Sequence, residues 1–257
     1  MGFLQILRAF PSPPEKFPRT LRVYLPDAYF RDEGRRFGVL YMQDGQNVFA
    51  HPESARLETW GANETIERLA GSRAIEPWII VGVDHAEGRF EDYSPWVEPK
   101  VHAGGRAEVY AEFLIEHLKP FIDATYRTRT EREWTAVAGS SLGGLITLWL
   151  GLKHPDVYGR VGAFSPTVMW AGRRMFRAWN KHGPLPQLIY LDVGAYERFD
   201  VDNVHLDYGG QVRAFAEQLQ HLGYDHDELR VVLEPGGQHS EVDWRRRLPG
   251  ALTWLLR

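Results

Sequence analysis

The chain has 257 residues, of which 44% are hydrophobic and 25% are charged, a balance typical of a globular domain with a buried core. The formal net charge is −4 and no block of like charges occurs, so the sequence does not favour nucleic-acid binding or attachment to a membrane surface. The absence of cysteine excludes both a disulfide scaffold and a thiol nucleophile.

The first ten residues are apolar but run into prolines at positions 11, 13 and 14. They lack the basic start, the long apolar stretch and the cleavage site of a signal peptide. No segment of the sequence approaches the roughly 20 apolar residues of a membrane span. We therefore expect a cytoplasmic protein.

Strand patterns and helix patterns alternate along the remainder of the chain. Apolar residues at every second position of 21–25 predict a half-buried strand. Short apolar runs at 39–42 and 79–83 predict two buried parallel strands. Between these runs, residues 63–70 have the spacing of a helix.

The clearest amphipathic helix is predicted at residues 110–122, where apolar side chains recur at steps of three and four. Pro120 lies inside this pattern and predicts a kink or a break. The later elements are predicted as strands at 134–138, 161–164, 188–193 and 229–233, and as helices at 145–152, 210–222 and 242–256. This alternation predicts an α/β fold with a mostly parallel central sheet and helices on both faces, in a single domain over residues 1–257.

The strongest chemical signal is a G-x-S-x-G motif at residues 139–143, centred on Ser141. It follows a predicted strand and precedes a predicted helix, which is the context that a nucleophile elbow requires. Glycine at 139 and 143 avoids clashes in the tight turn, and Gly144 lets the helix pack closely on the sheet. The alternative is a plain strand-to-helix turn, but the context favours Ser141 as a nucleophile at a helix N-terminus.

A serine nucleophile needs a base, and in α/β-hydrolases the histidine follows the last core strand. Among ten histidines, only His239 has this order and this setting, in the glycine-containing loop 236–240. The alternative is that His239 caps the closing helix.

The third member of the triad should follow the strand at 188–193. Glu197 lies just beyond the predicted strand end, where a carboxylate can fix the histidine tautomer, and we favour it. Asp200 and Asp202 are the next candidates, whereas Asp192 lies inside the strand, so its direction is open. A serine–histidine pair without an acid is also compatible with the sequence.

Two backbone N–H groups are needed to stabilise an oxyanion. We predict that they belong to Leu142, which follows the nucleophile, and to Gln46, in the loop after the strand at 39–42. Trp60, Trp96 and Trp170 fall in loops after strand ends, where they can line an apolar substrate pocket, although core packing is the alternative.

Other polar residues do not form a recognisable metal site. No His, Asp or Glu pairs have the spacing of an H-E-x-x-H helix or a calcium loop, so we expect no metal and no cofactor. Arg89 and Glu91 follow the strand at 79–83, and we expect them to pair and hold that loop; contact with the substrate is the alternative.

The motifs together resemble the "putative esterase" family of α/β-hydrolases, which includes esterase D-like enzymes, enterochelin esterases, feruloyl esterase domains and antigen 85 mycolyltransferases. The matching stretches are 41–49, 81–84, 89–95, 138–145, 164–166, 190–197 and 237–241 together with Trp244. The resemblance implies a triad of Ser141, Glu197 and His239, with Gln46 and Leu142 forming the oxyanion hole. Some members of the family carry aspartate at the position where this sequence has Glu197.

We therefore predict a serine carboxylic-ester hydrolase that acts on a small-molecule ester through an acyl-enzyme intermediate, with no nucleic-acid or membrane partner. One alternative is an acyltransferase that uses the same triad, as the antigen 85 resemblance allows. The other is a non-catalytic ligand-binding scaffold, because a fold and a motif do not guarantee turnover.

Overall fold

Ten strands form in the part of the chain that the computed structural model describes, residues 2–55, 57–201 and 204–257. They are β1 (Phe3–Phe10), β2 (Arg19–Leu25), β3 (Gly38–Gln43), β4 (Trp78–Val83), β5 (Thr135–Ser140), β6 (Arg160–Phe164), β7 (Leu188–Gly194), β8 (Arg198–Val201), β9 (Val204–Asp207) and β10 (Leu229–Glu234). Eight of them form one sheet in the order β1-β2-β4-β3-β5-β6-β7-β10, and β8 and β9 form a separate hairpin.

The α-helices of the same described residues are α1 (Asp27–Arg31), α2 (Ala62–Gly71), α3 (Arg89–Asp92), α4 (Ala107–Glu112), α5 (Lys119–Thr125), α6 (Leu142–Lys153), α7 (Trp170–Trp179), α8 (Tyr208–His221) and α9 (Glu241–Leu255). No helix in these parts of the chain combines the length and the apolar character that crossing a bilayer would require.

The central strands are parallel, as the sequence predicts, and only the β1–β2 and β2–β4 pairs of the sheet are antiparallel. Successive residues of a strand point to opposite faces. Val39 and Tyr41 of β3 accordingly pack in one core with α6 and α8, whereas Leu40 and Met42 pack in a second core with α2 and α9. The predicted mostly parallel sheet with helices on both faces is confirmed.

Strand β2 is buried on both faces, and the prediction of a half-buried strand is wrong. Its alternate residues are polar or amphipathic, but each is paired: Arg22 donates two hydrogen bonds to Asp84, at 2.7 and 2.9 Å, and the Tyr24 hydroxyl donates to Glu67 at 2.8 Å. Pairing offsets the desolvation of these groups and allows both faces to be covered.

The predicted helix at 110–122 lies within a longer helical segment made of α4, a π-helical stretch at Phe113–Leu118, and α5. Pro120 cannot donate a backbone hydrogen bond, and its ring clashes with the preceding turn of a regular helix. The wider π turn directly before it relieves that clash. The predicted irregularity is thus present as a π segment rather than as a break.

Candidate active site

The carboxyl ends of the parallel strands meet at one edge of the sheet, and a cavity of about 1470 Å³ opens there. Open α/β sheets bind ligands at this edge. Of the residues predicted for the triad and the oxyanion hole, four line the cavity, namely Gln46, Ser141, Leu142 and His239. The structure therefore brings together residues that are almost 200 positions apart in the chain.

Ser141 lies in a sharp bend between β5 and α6, with φ 56° and ψ −124°. A non-glycine residue rarely adopts a positive φ, and it does so only where the surrounding structure enforces it. Three backbone hydrogen bonds hold the bend, each 3.0 Å long: Ser141 donates to Phe164, and its carbonyl accepts from Leu145 and Thr167.

The close packing of this bend requires glycine. A Cβ atom at Gly139 would lie 2.6 Å from the carbonyl oxygen of Gly143, and one at Gly144 would lie 3.0 Å from the Cα atom of Pro166. These contacts confirm the packing role predicted for Gly139 and Gly144.

The Ser141 hydroxyl has polar neighbours that the sequence analysis missed. Its Oγ atom lies 3.5 Å from Thr167 Oγ1, which in turn lies 3.1 Å from the hydroxyl oxygen of Tyr208. Burial raises the pKa of Tyr208, which keeps that hydroxyl protonated. Within the described residues, no hydrogen bond joins Ser141 to His239. No local pattern marks Thr167 or Tyr208, because they reach the site only through the packing of β6 and α8.

His239 and Glu197 are in direct contact. The Nδ1 atom of His239 lies 2.7 Å from Oε1 of Glu197, whose side chain is completely buried, while the imidazole is 10% exposed. With Nδ1 engaged, Nε2 is the ring nitrogen that can take up a proton. Of the other candidate acids, Asp200 is exposed on β8, and Asp202 lies outside the described residues.

Two glycines bring the acid and the histidine together. Gly194 ends β7, and a Cβ atom there would lie only 2.0 Å from the carbonyl oxygen of Gly237, in the loop that carries His239. The Glu197 N–H donates to the Gly194 carbonyl at 3.0 Å, which closes the turn after β7. The two loops therefore meet backbone to backbone.

Aromatic rings surround the imidazole. The ring centroids of Tyr208, Trp244 and Phe199 lie 4.4, 5.1 and 5.2 Å from that of His239. They come from α8, α9 and the β8–β9 hairpin, so three separate elements restrict the orientation of the ring.

A buried polar network continues behind the acid. Burial raises the pKa of Asp192 to about 6, although the adjacent Arg247 guanidinium acts to lower it. Arg247 Nε lies 3.1 Å from Asp192 Oδ2, and its Nη1 donates to Glu234 at 2.9 Å. Asp192 thus pairs with a cation, and the carboxylate that contacts the imidazole is that of Glu197.

Leu142 and Gln46 occupy positions suited to donating backbone hydrogen bonds into the cavity. Leu142 is the first residue of α6, and the first N–H groups of a helix have no acceptor within it. Gln46 lies in a 3₁₀ turn at Gly45–Asn47 directly after β3, and its side chain accepts from the backbone of His85 at 3.2 Å.

The start of this turn is held by an ion pair. Arg89 donates to both carboxylate oxygens of Asp44, at 2.7 and 2.8 Å, and Asp44 has a left-handed backbone with φ 54°. The expected pairing of Arg89 with Glu91 is therefore wrong, because the side chain of Arg89 crosses to the loop after β3 instead. Parallel neighbours in the sheet, β3 and β4, bring the two loops together.

Trp60 and Trp170 line the cavity, whereas Trp96 is not among its lining residues. The indole N–H of Trp170 donates to the Trp96 carbonyl at 2.8 Å, so Trp96 supports Trp170 through its backbone. Phe90, which is 47% exposed, lies beside Trp170 at the cavity.

In the described parts of the chain, no three His, Asp or Glu side chains gather in a way that could hold a metal ion.

The sequence is similar to known esterases. A family model described as "Putative esterase" matches residues 15–255. Uncharacterized protein YbbA of Bacillus subtilis is 22% identical over 92% of each chain. An endo-1,4-beta-xylanase/feruloyl esterase of Xylanibacter ruminicola is 29% identical over 90% of this chain and 28% of its own length.

The structure is similar to that of an IroE-like serine hydrolase from Shewanella oneidensis, with a TM-score of 0.82 at 19% identity, over 99% of this chain and 80% of that one. This likeness confirms the predicted α/β-hydrolase fold. Because the family model spans residues 15–255, the chain belongs to the esterase family of α/β-hydrolases and is a serine carboxylic-ester hydrolase.

Proposed function

We propose that the chain hydrolyses carboxylic esters through a triad of Ser141, His239 and Glu197 and an acyl-enzyme intermediate on Ser141. The observation that carries this proposal is the 2.7 Å contact between His239 Nδ1 and the buried Glu197 carboxylate, beside a cavity that His239 shares with Ser141. A carboxylate in this position orients the imidazole and stabilises its protonated form.

In the first step, the Ser141 oxygen attacks the ester carbonyl while His239 Nε2 takes the hydroxyl proton. The carbonyl oxygen becomes negatively charged and is stabilised by the N–H groups of Gln46 and Leu142. The tetrahedral intermediate then expels the alcohol, which receives the proton from His239. The acyl group remains on Ser141.

In the second step, water attacks the acyl-enzyme while His239 takes one of its protons. The new tetrahedral intermediate releases the carboxylic acid, and His239 returns the proton to the Ser141 oxygen. Each cycle therefore consumes one ester and one water and leaves the enzyme unchanged.

The Ser141 hydroxyl lies beside Thr167 and has to turn toward His239 before the first step. Catalytic hydrogen bonds are often long in unliganded enzymes and shorten when substrate binds. The 3.5 Å separation of Ser141 Oγ from Thr167 Oγ1 is longer than a normal O–H···O bond, so this neighbour opposes the rotation only weakly.

We further propose that the substrate is a bulky ester with an aromatic portion. A cavity of about 1470 Å³ exceeds the roughly 300–1,000 Å³ common for small-molecule sites. The exposed ring of Phe90 and the largely buried rings of Trp60 and Trp170 line it, and one of the similar proteins is named an endo-1,4-beta-xylanase/feruloyl esterase. All proposed residues follow strands of one continuous sheet, which supports a single domain over residues 1–257.

The test compares the parent chain with Ser141→Ala, and with Ser140→Ala as a matched control, on p-nitrophenyl acetate, p-nitrophenyl butyrate and a feruloyl ester. We expect kcat/KM to fall by roughly 10³-fold or more in Ser141→Ala and to change little in Ser140→Ala. Equal hydrolysis by the parent and Ser141→Ala would overturn the proposal.

A second measurement addresses the intermediate. After mixing with p-nitrophenyl acetate and acid quenching, mass spectrometry should find an acetyl group on the peptide that contains Ser141. Product analysis in the presence of an added alcohol shows whether water or the alcohol accepts the acyl group. A hydrolase forms the free acid, whereas an acyltransferase forms a new ester.

A further inference from the structure

Ser165 lies directly behind the proposed triad acid and has no part in the mechanism above. It is completely buried and follows the last residue of β6 with φ 41°, a left-handed backbone that is unusual for serine. Its N–H donates to the Asp192 carbonyl at 2.8 Å, which fixes the residue between β6 and β7.

The Ser165 hydroxyl makes three hydrogen bonds, and their directions follow from chemistry. Trp244 Nε1 and Arg247 Nη2 each lie 3.1 Å from its oxygen, and Glu197 Oε2 lies 2.8 Å from it. Indole and guanidinium groups only donate, so they occupy both acceptor positions of the hydroxyl. Its single proton must therefore point at Glu197.

This arrangement links the triad acid to a buried cation through one hydroxyl. The Arg247 side chain is 3% exposed and is paired with Asp192 and Glu234. Hydrogen bonds in such a chain polarise one another, so the donation from Arg247 strengthens the donation from Ser165 to Glu197. The Gly194 N–H also donates to the same Glu197 oxygen, at 2.9 Å.

We infer that Ser165 is a positioning residue that holds the Glu197 carboxylate toward His239 and moderates the proton affinity of the Glu197–His239 pair. The inference rests on the proposed function, because it assumes that this pair acts as the base. A hydrogen bond donated to a carboxylate stabilises its charged form. Removing the Ser165 hydroxyl therefore makes proton uptake by the pair easier, whichever of the two groups carries the proton.

Other charged or titratable groups also face Glu197. Besides His239, they are Tyr208 from α8, Asp192 from β7 and Arg247 from α9. All of them are present in every variant, because only Ser165 is changed, and the ion pairs of Arg247 with Asp192 and Glu234 do not involve the Ser165 hydroxyl. A difference between the pH profiles thus reports the loss of the hydroxyl.

The test measures kcat/KM against pH for the parent, Ser165→Ala and Ser165→Gly. Glycine accepts the positive φ without strain, so Ser165→Gly folds even if alanine at this position does not. Ser94→Ala is the matched control, because Ser94 is also completely buried but its hydroxyl has no hydrogen-bond partner among the described residues.

We expect the acid limb of the kcat/KM profile to move to higher pH by about one unit in both Ser165 variants. The plateau value of kcat/KM should be roughly 10-fold lower in these variants. In Ser94→Ala the acid limb should stay in place. A lower plateau with an unmoved acid limb would overturn the inference, since a merely structural role predicts that result. If Ser141→Ala were as active as the parent, the proposed function itself would fail. An inactive Ser141→Ala with unmoved Ser165 profiles would refute only the role of Ser165.

Discussion

Substitution of Gly194 by alanine tests whether the backbone contact between the two loops positions the catalytic pair. The added Cβ atom would lie 2.0 Å from the carbonyl oxygen of Gly237, whereas ordinary contact begins at 3.4 Å. The loop would have to withdraw by the difference, about 1.4 Å. His239 follows Gly237 by two residues, so its imidazole moves with the loop and away from Glu197.

The expected loss follows from this displacement. A misplacement of about 1 Å can lower catalytic efficiency by roughly 10²-fold, so we expect kcat/KM of Gly194→Ala to fall by about that factor. Forcing an extra methyl group into a packed site typically lowers the free energy of unfolding by about 1–3 kcal/mol. Both quantities are measurable, the first with p-nitrophenyl butyrate and the second by urea denaturation.

Gly250→Ala is the matched control for this substitution. Gly250 lies in α9, and an added Cβ atom would meet nothing within 4 Å. Alanine in a helix should raise the free energy of unfolding by about 0.5–1 kcal/mol and leave kcat/KM unchanged. The reasoning fails if Gly194→Ala keeps the activity and stability of the parent.

Two further predictions concern Tyr208 and Asp192. Tyr208→Phe keeps the aromatic ring whose centroid lies 4.4 Å from that of His239, so this variant should retain most of the parent kcat. Tyr208→Ala removes the ring, and its kcat should fall roughly 10-fold or more. Equal kcat values for the two variants would contradict this role of the ring. The fold raises the pKa of Asp192 from 3.8 to about 6, so its stabilising contribution is fully present below pH 3.8 and is lost as the pH rises through about 6. Asp192→Asn should remove this pH dependence, which is on the order of 3 kcal/mol in the free energy of unfolding. Urea denaturation of the parent and the variant, below pH 3.8 and above pH 6, measures the effect. The idea is refuted if the free energies of the two proteins differ equally at both pH values.

The sequence predicts the parts of the site that depend on local pattern and chain order. Ser141 is recognisable because a strand, a glycine-flanked turn and a helix follow one another, and His239 because it alone follows the last strand in a glycine-containing loop. The choice of Glu197 over Asp200 depends on how the chain turns after Gly194, which no pattern specifies.

The surroundings of the triad could not be predicted in the same way. Ser165 and Thr167 lie in the loop after β6, whereas Tyr208 begins α8, and these residues come together with Glu197 only because β6, β7 and α8 pack against one another. Strand β1 was missed because its apolar residues do not alternate regularly with polar ones, and it is recognisable only from its pairing with β2. The cytoplasmic location stays a prediction.

The backbone conformation of residue 141 lowers the stability of the fold while it positions the proposed nucleophile. A φ of 56° with ψ −124° suits glycine. Holding a residue with a side chain in such a conformation typically lowers the free energy of unfolding by about 1–3 kcal/mol. Glycine at this position would relieve that strain but would also remove the hydroxyl proposed as the nucleophile. The fold is therefore less stable than it could be at the one position where the proposed chemistry begins, and selection for stability alone would remove the nucleophile.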